Sequence, residues 1–117
     1  MSILVDFRTL VDPIMGGQAY RNLVPQEAVP PYAKFFRVAA DEGVTLDENG
    51  GDDNETATRI QFDVWGESPD EVDAKIKAIK KALKSWAISN VVVLEMDDFD
   101  DSVNLHRTML HIATIHQ

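Results

Sequence analysis

The fold is decided by residues 30–83, and most clearly by their second part, 56-TATRIQFDVWGESPDEVDAKIKAIKKAL-83. The first eleven of these residues alternate between two sides, a pattern that predicts a strand with one packed face and one partly wet face. The packed side carries Thr58, Ile60, Phe62 and Val64, and the other side carries Arg59, Gln61, Asp63 and Trp65. We therefore expect this strand to lie in a sheet that is covered mainly on one face.

An amphipathic helix follows this strand. Ser68 is suited to cap the N-terminus of the helix, Pro69 to stand at its first position and Glu71 to complete a capping box. The apolar residues recur at spacings of four and three, and they form one stripe of Val72, Ile76, Ile79, Leu83 and Trp86. The sequence therefore predicts a helix that packs on the sheet through this stripe.

A second strand, over residues 31–40, precedes the first one. Its neighbouring Phe35 and Phe36 break the alternation, so we expect it to be buried on both faces for part of its length. Residues 41–55 join the two strands and contain an Asn-Gly-Gly sequence. This connection favours a long, acidic β-hairpin loop with a mobile tip.

The rest of the chain adds one helix and three strands. They are predicted as a helix over Ser2–Val11 stopped by Pro13 and Gly16-Gly17, a strand over Ala19–Val24, a strand over Val91–Phe99, a turn over Asp100–Ser102 and a strand over Asn104–His116 with a bulge near Arg107–Met109. The order α-β-β-β-α-β-β predicts an α+β fold. We expect an antiparallel or mixed sheet of four to five strands, with two main helices packed on one face.

Length and composition narrow the class of protein. The chain has 117 residues, 44% of them hydrophobic and 26% charged, which is typical of one globular domain over residues 1–117. It has no cysteine, which excludes disulfides, thiolate metal sites and thiol catalysis. No signal peptide and no apolar run long enough to span a membrane is found, so we expect synthesis in the cytoplasm and no membrane partner.

The charges are distributed unevenly along the chain. The net charge of −9 argues against nucleic-acid binding along the outer surface, because that requires clustered Lys and Arg. Seven acidic residues and no basic residue lie in residues 41–55, and five more acids lie in residues 95–101. Five of the eleven basic residues are the lysines at 75, 77, 80, 81 and 84. The molecule is therefore predicted to have acidic loops and one basic helix.

This polarity suggests a contact between copies. A basic helix and an acidic loop on one subunit suit a head-to-tail contact, and such contacts close into rings when the rotation permits. The candidate interface residues are Asp47, Glu48, Asp52, Asp53, Lys77, Lys80, Lys81 and Lys84. A basic helix face that meets a phosphate backbone, or that is simply solvated, is the alternative interpretation.

The acidic segments have two further interpretations, as a metal site and as a catalytic site. A calcium loop starting at Asp47 would need glycine at its sixth position and glutamate at its twelfth, where the chain has Asp52 and Thr58. The carboxylates of residues 97–101 could serve acid–base catalysis only if one were buried with a raised pKa. Solvated or partner-facing loops are the simpler interpretation of both segments.

No other segment predicts an active site. The histidines at 106, 111 and 116 are spaced so that one strand cannot bring them to a common metal. Neither glycine pair has the flanking residues of a phosphate-binding loop, and no nucleophile elbow is present. We therefore predict a protein that is not an enzyme and has no cofactor and no metal.

The order of elements resembles a known family. The features that carry the resemblance are the short N-terminal helix, the strand entry Pro31-Tyr32-Ala33, the acidic loop, the strand Ile60-Gln61-Phe62-Asp63-Val64-Trp65-Gly66, the helix after it and the last strand Leu105–Ile115. Over nearly the whole chain they resemble the tail terminator, or tail completion, proteins of long-tailed bacteriophages and prophages. The match lies in this pattern and not in a catalytic signature.

The resemblance implies a structural virion protein. Members of this family form a ring, hexameric in well-known cases, that caps the tail tube, ends its polymerisation and presents the surface for head joining. The implied partners are other copies of the chain, the major tail-tube protein and a head-completion or connector protein, while DNA passes through the lumen without specific binding. The implied location is the host cytoplasm during assembly and the head-proximal end of the virion tail.

Two other functions remain open at this point. One is another neck or tail connector protein on the same scaffold. The other is a non-viral, cation-dependent binding module that uses Asp47, Asp52 and Asp53.

Overall fold

The computed structural model describes residues 2–42 and 56–116, with the backbone alone for residues 41 and 42. Along the chain the elements are α1 (Ile3–Met15), β1 (Ala19–Arg21), β2 (Tyr32–Glu42), β3 (Thr56–Gly66), α2 (Pro69–Ser85), β4 (Ser89–Asp100) and β5 (Leu105–His116). The strands form one sheet in the order β1-β2-β3-β5-β4. β1 runs parallel to β2, and all other neighbours are antiparallel. The predicted α+β class, with a mixed sheet and two helices, is confirmed.

The core lies between the two helices and one face of the sheet. Phe7 of α1 is at its centre, and its ring centroid lies 5.3 Å from that of Phe35, 5.5 Å from that of Phe62 and 5.9 Å from that of Trp86. The predicted stripe of α2 packs into the same cluster, with Trp86 partly buried at its end. The sequence pattern of α2 therefore identified its buried face correctly.

The cap of α2 is close to the predicted capping box but differs in one bond. The backbone N–H of Glu71 donates to Ser68 Oγ at 3.1 Å, as expected. Glu71 Oε1 accepts from the backbone N–H of Glu67 at 2.9 Å, one residue before the cap. The two side chains thus fix the first turn of α2 immediately after β3 ends.

The predicted stop of α1 is confirmed at Gly16 but was wrong at Pro13, and the helix extends beyond the predicted Val11. The helix runs to Met15 with Pro13 inside it, and it ends at Gly16, whose φ of 62° is left-handed. Proline removes one hydrogen bond of the last turn, but Met15 is buried in the core and Lys75 Nζ donates to the Ile14 carbonyl at 2.9 Å. These contacts from α2 and the core hold the last turn of α1 in place.

The face of β3 predicted to be partly wet is covered at one end. Asp63 and Trp65 are both buried. Trp65 packs in a second, smaller cluster with Tyr32, Leu105 and parts of residues 20–28, while Gln61 and Arg107 lie beside Asp63. The Tyr32 and Trp65 rings stack with their centroids 5.3 Å apart. β2 is accordingly buried on both faces at its start, as its sequence predicted.

The predicted bulge in the last strand was wrong. β5 pairs with β3 without interruption, and the irregularities lie instead in β2 between Arg37 and Ala39 and in β4 between Val92 and Leu94. β5 lies between two partners and must match both, whereas β2 and β4 have a free side at these positions and can accommodate an extra residue. β1 is also shorter than predicted and ends at Arg21.

The hairpin of β2 and β3 is confirmed as far as it is described. Its pairing extends to Glu42 opposite Thr56, and the tip predicted between them lies outside the described residues. Neither helix of the described chain is long and apolar enough to cross a membrane.

Candidate assembly interface

The four lysines predicted for the interface lie together on α2. Lys77, Lys80, Lys81 and Lys84 are exposed and line one groove with Asp73, Ile76 and Glu95. The apolar stripe of α2 faces the core, so helical spacing places these lysines on the outer side. The groove encloses about 480 Å³ between α2 and β4.

Lys80 has a partner on the neighbouring strand. Its Nζ lies 2.7 Å from Glu95 Oε1 on β4, and both side chains are more than 40% exposed. Within the described ranges, Lys77, Lys81 and Lys84 make no ion pair. These three lysines leave positive charge at the surface of the groove for an acidic partner.

A second groove continues this surface toward the end of α2. It encloses about 510 Å³ and has an apolar floor of Leu83, Trp86, Ile88 and Val92, with Lys80 and Lys84 at its rim. Asn90 Nδ2 donates to the Leu83 and Ile88 carbonyls at 3.0 and 2.8 Å, which ties the end of α2 to the start of β4. The surface thus combines an apolar floor with a basic rim on a fixed framework.

The acidic half of the predicted interface lies outside the described part of the chain. Asp47, Glu48, Asp52 and Asp53 all fall within residues 43–55. The structure therefore brings together the basic residues of the prediction, and it does not test the acidic ones.

The sheet face away from the helices, which the alternation of β3 predicted to be partly wet, carries a polar cluster. The Asp63 carboxylate is 2% exposed, and its two oxygens accept from Gln61 Nε2 at 3.2 and 3.1 Å. Arg107 Nη2 lies 3.9 Å from Asp63 Oδ1, and His111 Nε2 lies 3.0 Å from Gln61 Oε1. Burial raises the pKa of Asp63, while the Gln61 hydrogen bond and the nearby positive charges oppose that rise.

A second carboxylate on this face has the opposite environment. Asp100 Oδ2 accepts from Trp65 Nε1 at 2.9 Å, and Asp100 Oδ1 accepts from Ser102 Oγ at 2.6 Å. The hydrogen bonds from Ser102 and Trp65 lower the pKa of Asp100. The desolvation of Tyr32, reinforced by the Asp100 charge, raises the pKa of the Tyr32 phenol.

The segment once considered for acid–base catalysis has structural partners instead. Asp97 Oδ1 accepts from Thr108 Oγ1 at 2.7 Å, and Asp98 Oδ1 accepts from the backbone N–H of Phe99. Hydrogen bonds from Ser102 and Trp65 lower the pKa of Asp100, which is opposite to the raised pKa that acid–base catalysis requires. The geometry therefore gives this segment a role in joining β4 to β5 and β3.

The histidines are separated as their spacing predicted. His116 Nε2 lies 2.9 Å from Thr58 Oγ1, His111 contacts Gln61, and the His106 ring packs against Phe99. Over residues 2–42 and 56–116, no three His, Asp or Glu side chains are placed to hold a metal ion.

Sequence reasoning missed the burial of Asp63 and the exposure of apolar residues on β4. A signal for the first was present, since Trp65 on a supposedly wet face indicates that something covers it. The exposure of the apolar residues on β4 could not be predicted, because the run Val91-Val92-Val93-Leu94 is equally typical of a buried inner strand. Only the strand order shows that β4 is at the edge.

The chain matches a known protein family over almost its whole length. The family model of the tail completion protein gp17 matches residues 4–117. The chain belongs to the tail completion protein family. It is therefore a structural protein of bacteriophage tails, whose role brings it into contact with other tail and head components.

One solved structure shares the fold of this chain. The bacteriophage SPP1 gp17 protein matches with a TM-score of 0.53 and 13% sequence identity, over 97% of this tail completion protein and 85% of the SPP1 chain. At that identity the match shows a shared fold alone. A comparison with curated protein sequences gave no match.

Proposed function

We propose that this tail completion protein caps the head-proximal end of the phage tail tube as a ring of identical subunits. The ring ends tail polymerisation and provides the surface to which the head is joined. Its partners are other copies of the same chain, in a hexamer, together with the major tail-tube protein and a head-completion or connector protein. The subunit acts as one domain over residues 1–117.

The observation that carries this proposal is the charge polarity of the subunit. Four lysines of α2 line one groove, and the chain has a separate segment of thirteen residues, 43–55, with five acids and no basic residue. One copy therefore offers a basic surface and an acidic segment. In the ring, Asp47, Glu48, Asp52 and Asp53 of one copy meet Lys77, Lys80, Lys81 and Lys84 of the next.

A head-to-tail contact of this kind is heterologous. The two surfaces in contact differ, so the same contact repeats from copy to copy and closes when the rotation divides a full turn. Oppositely charged surfaces also guide subunits into this orientation, since like surfaces repel one another. These physical requirements favour a closed ring over a symmetric dimer.

The net charge agrees with a channel for DNA. At −9 per subunit, a ring multiplies negative charge around its axis. A negative wall repels phosphate and offers few cations to bind it, so DNA passes through the lumen without being retained.

The test is arrest of tail-tube growth. Purified tail completion protein is added to polymerising major tail-tube protein, and tube length is followed by electron microscopy. We expect growth to stop with the protein at tube ends. A connector on the same scaffold would bind the head component and leave tube growth unchanged, which would overturn the capping proposal.

A further inference from the structure

The sheet has two free edges. β4 pairs only with β5, so its outer side has no strand partner over Ser89–Asp100 in the described structure. β1 covers only Ala33–Phe35 on the outer side of β2, apart from one bond from Asn22 N–H to the Phe35 carbonyl. From Phe36 onward, β2 is therefore a second free edge among the described residues.

The two free edges lie at the same level of the sheet. Ala39 of β2 is level with Val91 of β4, through the paired residues Arg59 and Ala113 between them. Phe36 is level with Leu94 in the same way, through Gln61 and His111. Residues 36–40 of β2 are thus level with residues 90–94 of β4, on the opposite side. The bulge at Val38 and the bulge at Val93 both fall within these segments.

Both segments expose apolar side chains. Val38 on β2 is 45% exposed, while Val91, Val93 and Leu94 on β4 are 58%, 46% and 39% exposed. Free strand edges with exposed apolar residues pair readily with other chains, and soluble proteins usually protect them with charges or by covering them. These edges carry their apolar residues at the level where no strand of residues 2–42 and 56–116 covers them.

The two segments place no like charges opposite each other. Arg37 is the one charged residue of 36–40, and residues 90–94 carry no charge. The charged residues of β4 are four acids between Glu95 and Asp100, so pairing of β4 with another β4 along its length would oppose acid to acid. Pairing of residues 36–40 with residues 90–94 avoids that repulsion and is the favoured combination.

We propose that residues 36–40 of one copy pair, antiparallel, with residues 90–94 of the next copy. Because β2, β3, β5 and β4 alternate in direction, β2 and β4 run in opposite directions within one subunit. A rotation about an axis along the strands then brings the β2 of one copy antiparallel to the β4 of its neighbour. The sheets join edge to edge around the ring, which deepens the proposed function and rests on it.

The edge contact also reaches the lysine grooves. Within one subunit, Asp41 near the end of β2 is level with Ser89 at the start of β4, through Ala57 and Ile115. In the proposed contact, the end of β2 of one copy therefore lies beside the start of β4 of the next copy. Lys84, Val91 and Val92 line the groove at that point. The free edge of β4 and the basic side of α2 are therefore parts of one continuous surface between copies.

The absence of cysteine allows a direct test by disulfide trapping. Three single variants are prepared, Val38→Cys, Val91→Cys and Val93→Cys, with Val5→Cys on α1, 50% exposed, as the matched control. Opposite residues of an antiparallel pair have Cα atoms roughly 4.5–5.5 Å apart, within the range that a disulfide spans. Two positions on β4 allow for a shift of register.

The expected result is a disulfide-linked dimer when Val38→Cys is mixed with Val91→Cys or Val93→Cys under mild oxidation. Each variant alone, and any mixture with Val5→Cys, should give none above background. A Val38→Cys, Val93→Cys double variant should give a ladder of linked subunits. Linkage of a β4 variant to itself, or no linkage in either mixture, would overturn the edge contact.

The ring itself is tested separately, by the native mass of the unmodified protein and by arrest of tube growth. A ring that forms without the cross-link would remove the edge contact and leave the proposed function standing. Cross-linking between β2 and β4 with no ring and no arrest of growth would retain the contact and remove the capping function.

Discussion

Lys80 Nζ lies 2.7 Å from Glu95 Oε1, and this ion pair joins α2 to the edge strand β4. The pair stands in the groove where the other exposed lysines of α2 are found. It places a carboxylate of the same chain at a surface that we propose for acidic partners. The pair therefore indicates how an acidic side chain can be accommodated there.

The Lys80–Glu95 pair is expected to contribute little to folding, because both side chains are more than 40% exposed. Glu95→Gln should lower the free energy of unfolding by less than about 1 kcal/mol, as is usual for surface ion pairs. Urea denaturation measures the change, with the exposed Asp101→Asn as control. A clearly larger loss would mean that the pair is required to hold α2 against β4.

Reversal of the basic face should affect assembly far more than folding. The combined change of Lys77, Lys80, Lys81 and Lys84 to glutamate should abolish binding to tube ends, while the melting temperature falls by only a few degrees, since exposed substitutions change stability little. The matched control replaces the same four lysines with arginine, which keeps the charge. Capping by the glutamate variant at the normal level would show that the basic face is not the contact.

Shortening the acidic segment should leave the subunit's stability nearly unchanged. Deletion of residues 47–53 shortens the connection between β2 and β3, and loop-closure entropy changes by only about 0.6 kcal/mol for a twofold change in length. Thermal unfolding should therefore be close to that of the full chain, while ring formation is lost. A large loss of stability would show that the segment packs against the subunit.

Phe7 is expected to be the most sensitive position of α1. It is fully buried and contacts the rings of Phe35, Phe62 and Trp86. Phe7→Ala should reduce the free energy of unfolding by about 3–5 kcal/mol, while the exposed Val5→Ala should change it by less than about 0.5 kcal/mol. Chemical denaturation of both variants compares them, and a loss below about 1 kcal/mol at Phe7 would contradict the described core.

The two carboxylates on the open sheet face should give opposite pH dependences. Burial raises the pKa of Asp63 above 3.8, so the folded state binds the proton more tightly, and this group's contribution to stability falls as pH rises from about 3.8 through its folded pKa. Hydrogen bonds lower the pKa of Asp100, so its contribution is present above about 3.8 and is lost as pH falls through its folded pKa.

Unfolding free energies measured between pH 2 and pH 8 should separate the two effects. As pH rises, the free energy of unfolding of Asp63→Asn should increase relative to that of the parent protein. The free energy of unfolding of Asp100→Asn should decrease relative to that of the parent protein. The two variants serve as controls for each other because both remove one carboxylate from the same sheet face. Parallel pH profiles for the two variants would contradict the described environments.

The elements that could be predicted from sequence are those whose signals are local. The start of α2 follows from Ser68 and Pro69, and its buried face from a stripe with regular spacing. The residues of β3 that face the helices were also predicted correctly, because the backbone makes successive side chains of a strand point to opposite faces. These features need no knowledge of which strands are neighbours.

The features that could not be predicted depend on tertiary neighbours. The bulges lie in β2 and β4 because, within the described residues, each of these strands has a side without a neighbouring strand at that point. The sequence of a single strand does not show which strands will be its neighbours. Asp63 is buried beside Gln61 of β3 and Arg107 of β5, which only the pairing of these two strands brings together. Pro13 was expected to end α1, but the burial of Met15 and the bond from Lys75 extend it.

The candidate site was predictable in its basic half. Lysines at 77, 80, 81 and 84 had to share one helix side once the apolar stripe was fixed to the core. Their relation to Glu95 and to the free edge of β4 required the fold, because β4 follows α2 closely and turns back along it. The lysine side of the proposed surface between copies could therefore be predicted from the sequence, whereas its β4 edge depends on the strand order.

Counting subunits on assembled tubes would show whether the protein caps the tail tube as a ring. Purified protein is bound to tubes of the major tail-tube protein, and bound complexes are imaged by cryo-electron microscopy with symmetry assessed at each tube end. We predict one closed hexameric ring at a single end of each tube. Single subunits scattered along the tube wall, or no binding at tube ends, would contradict it.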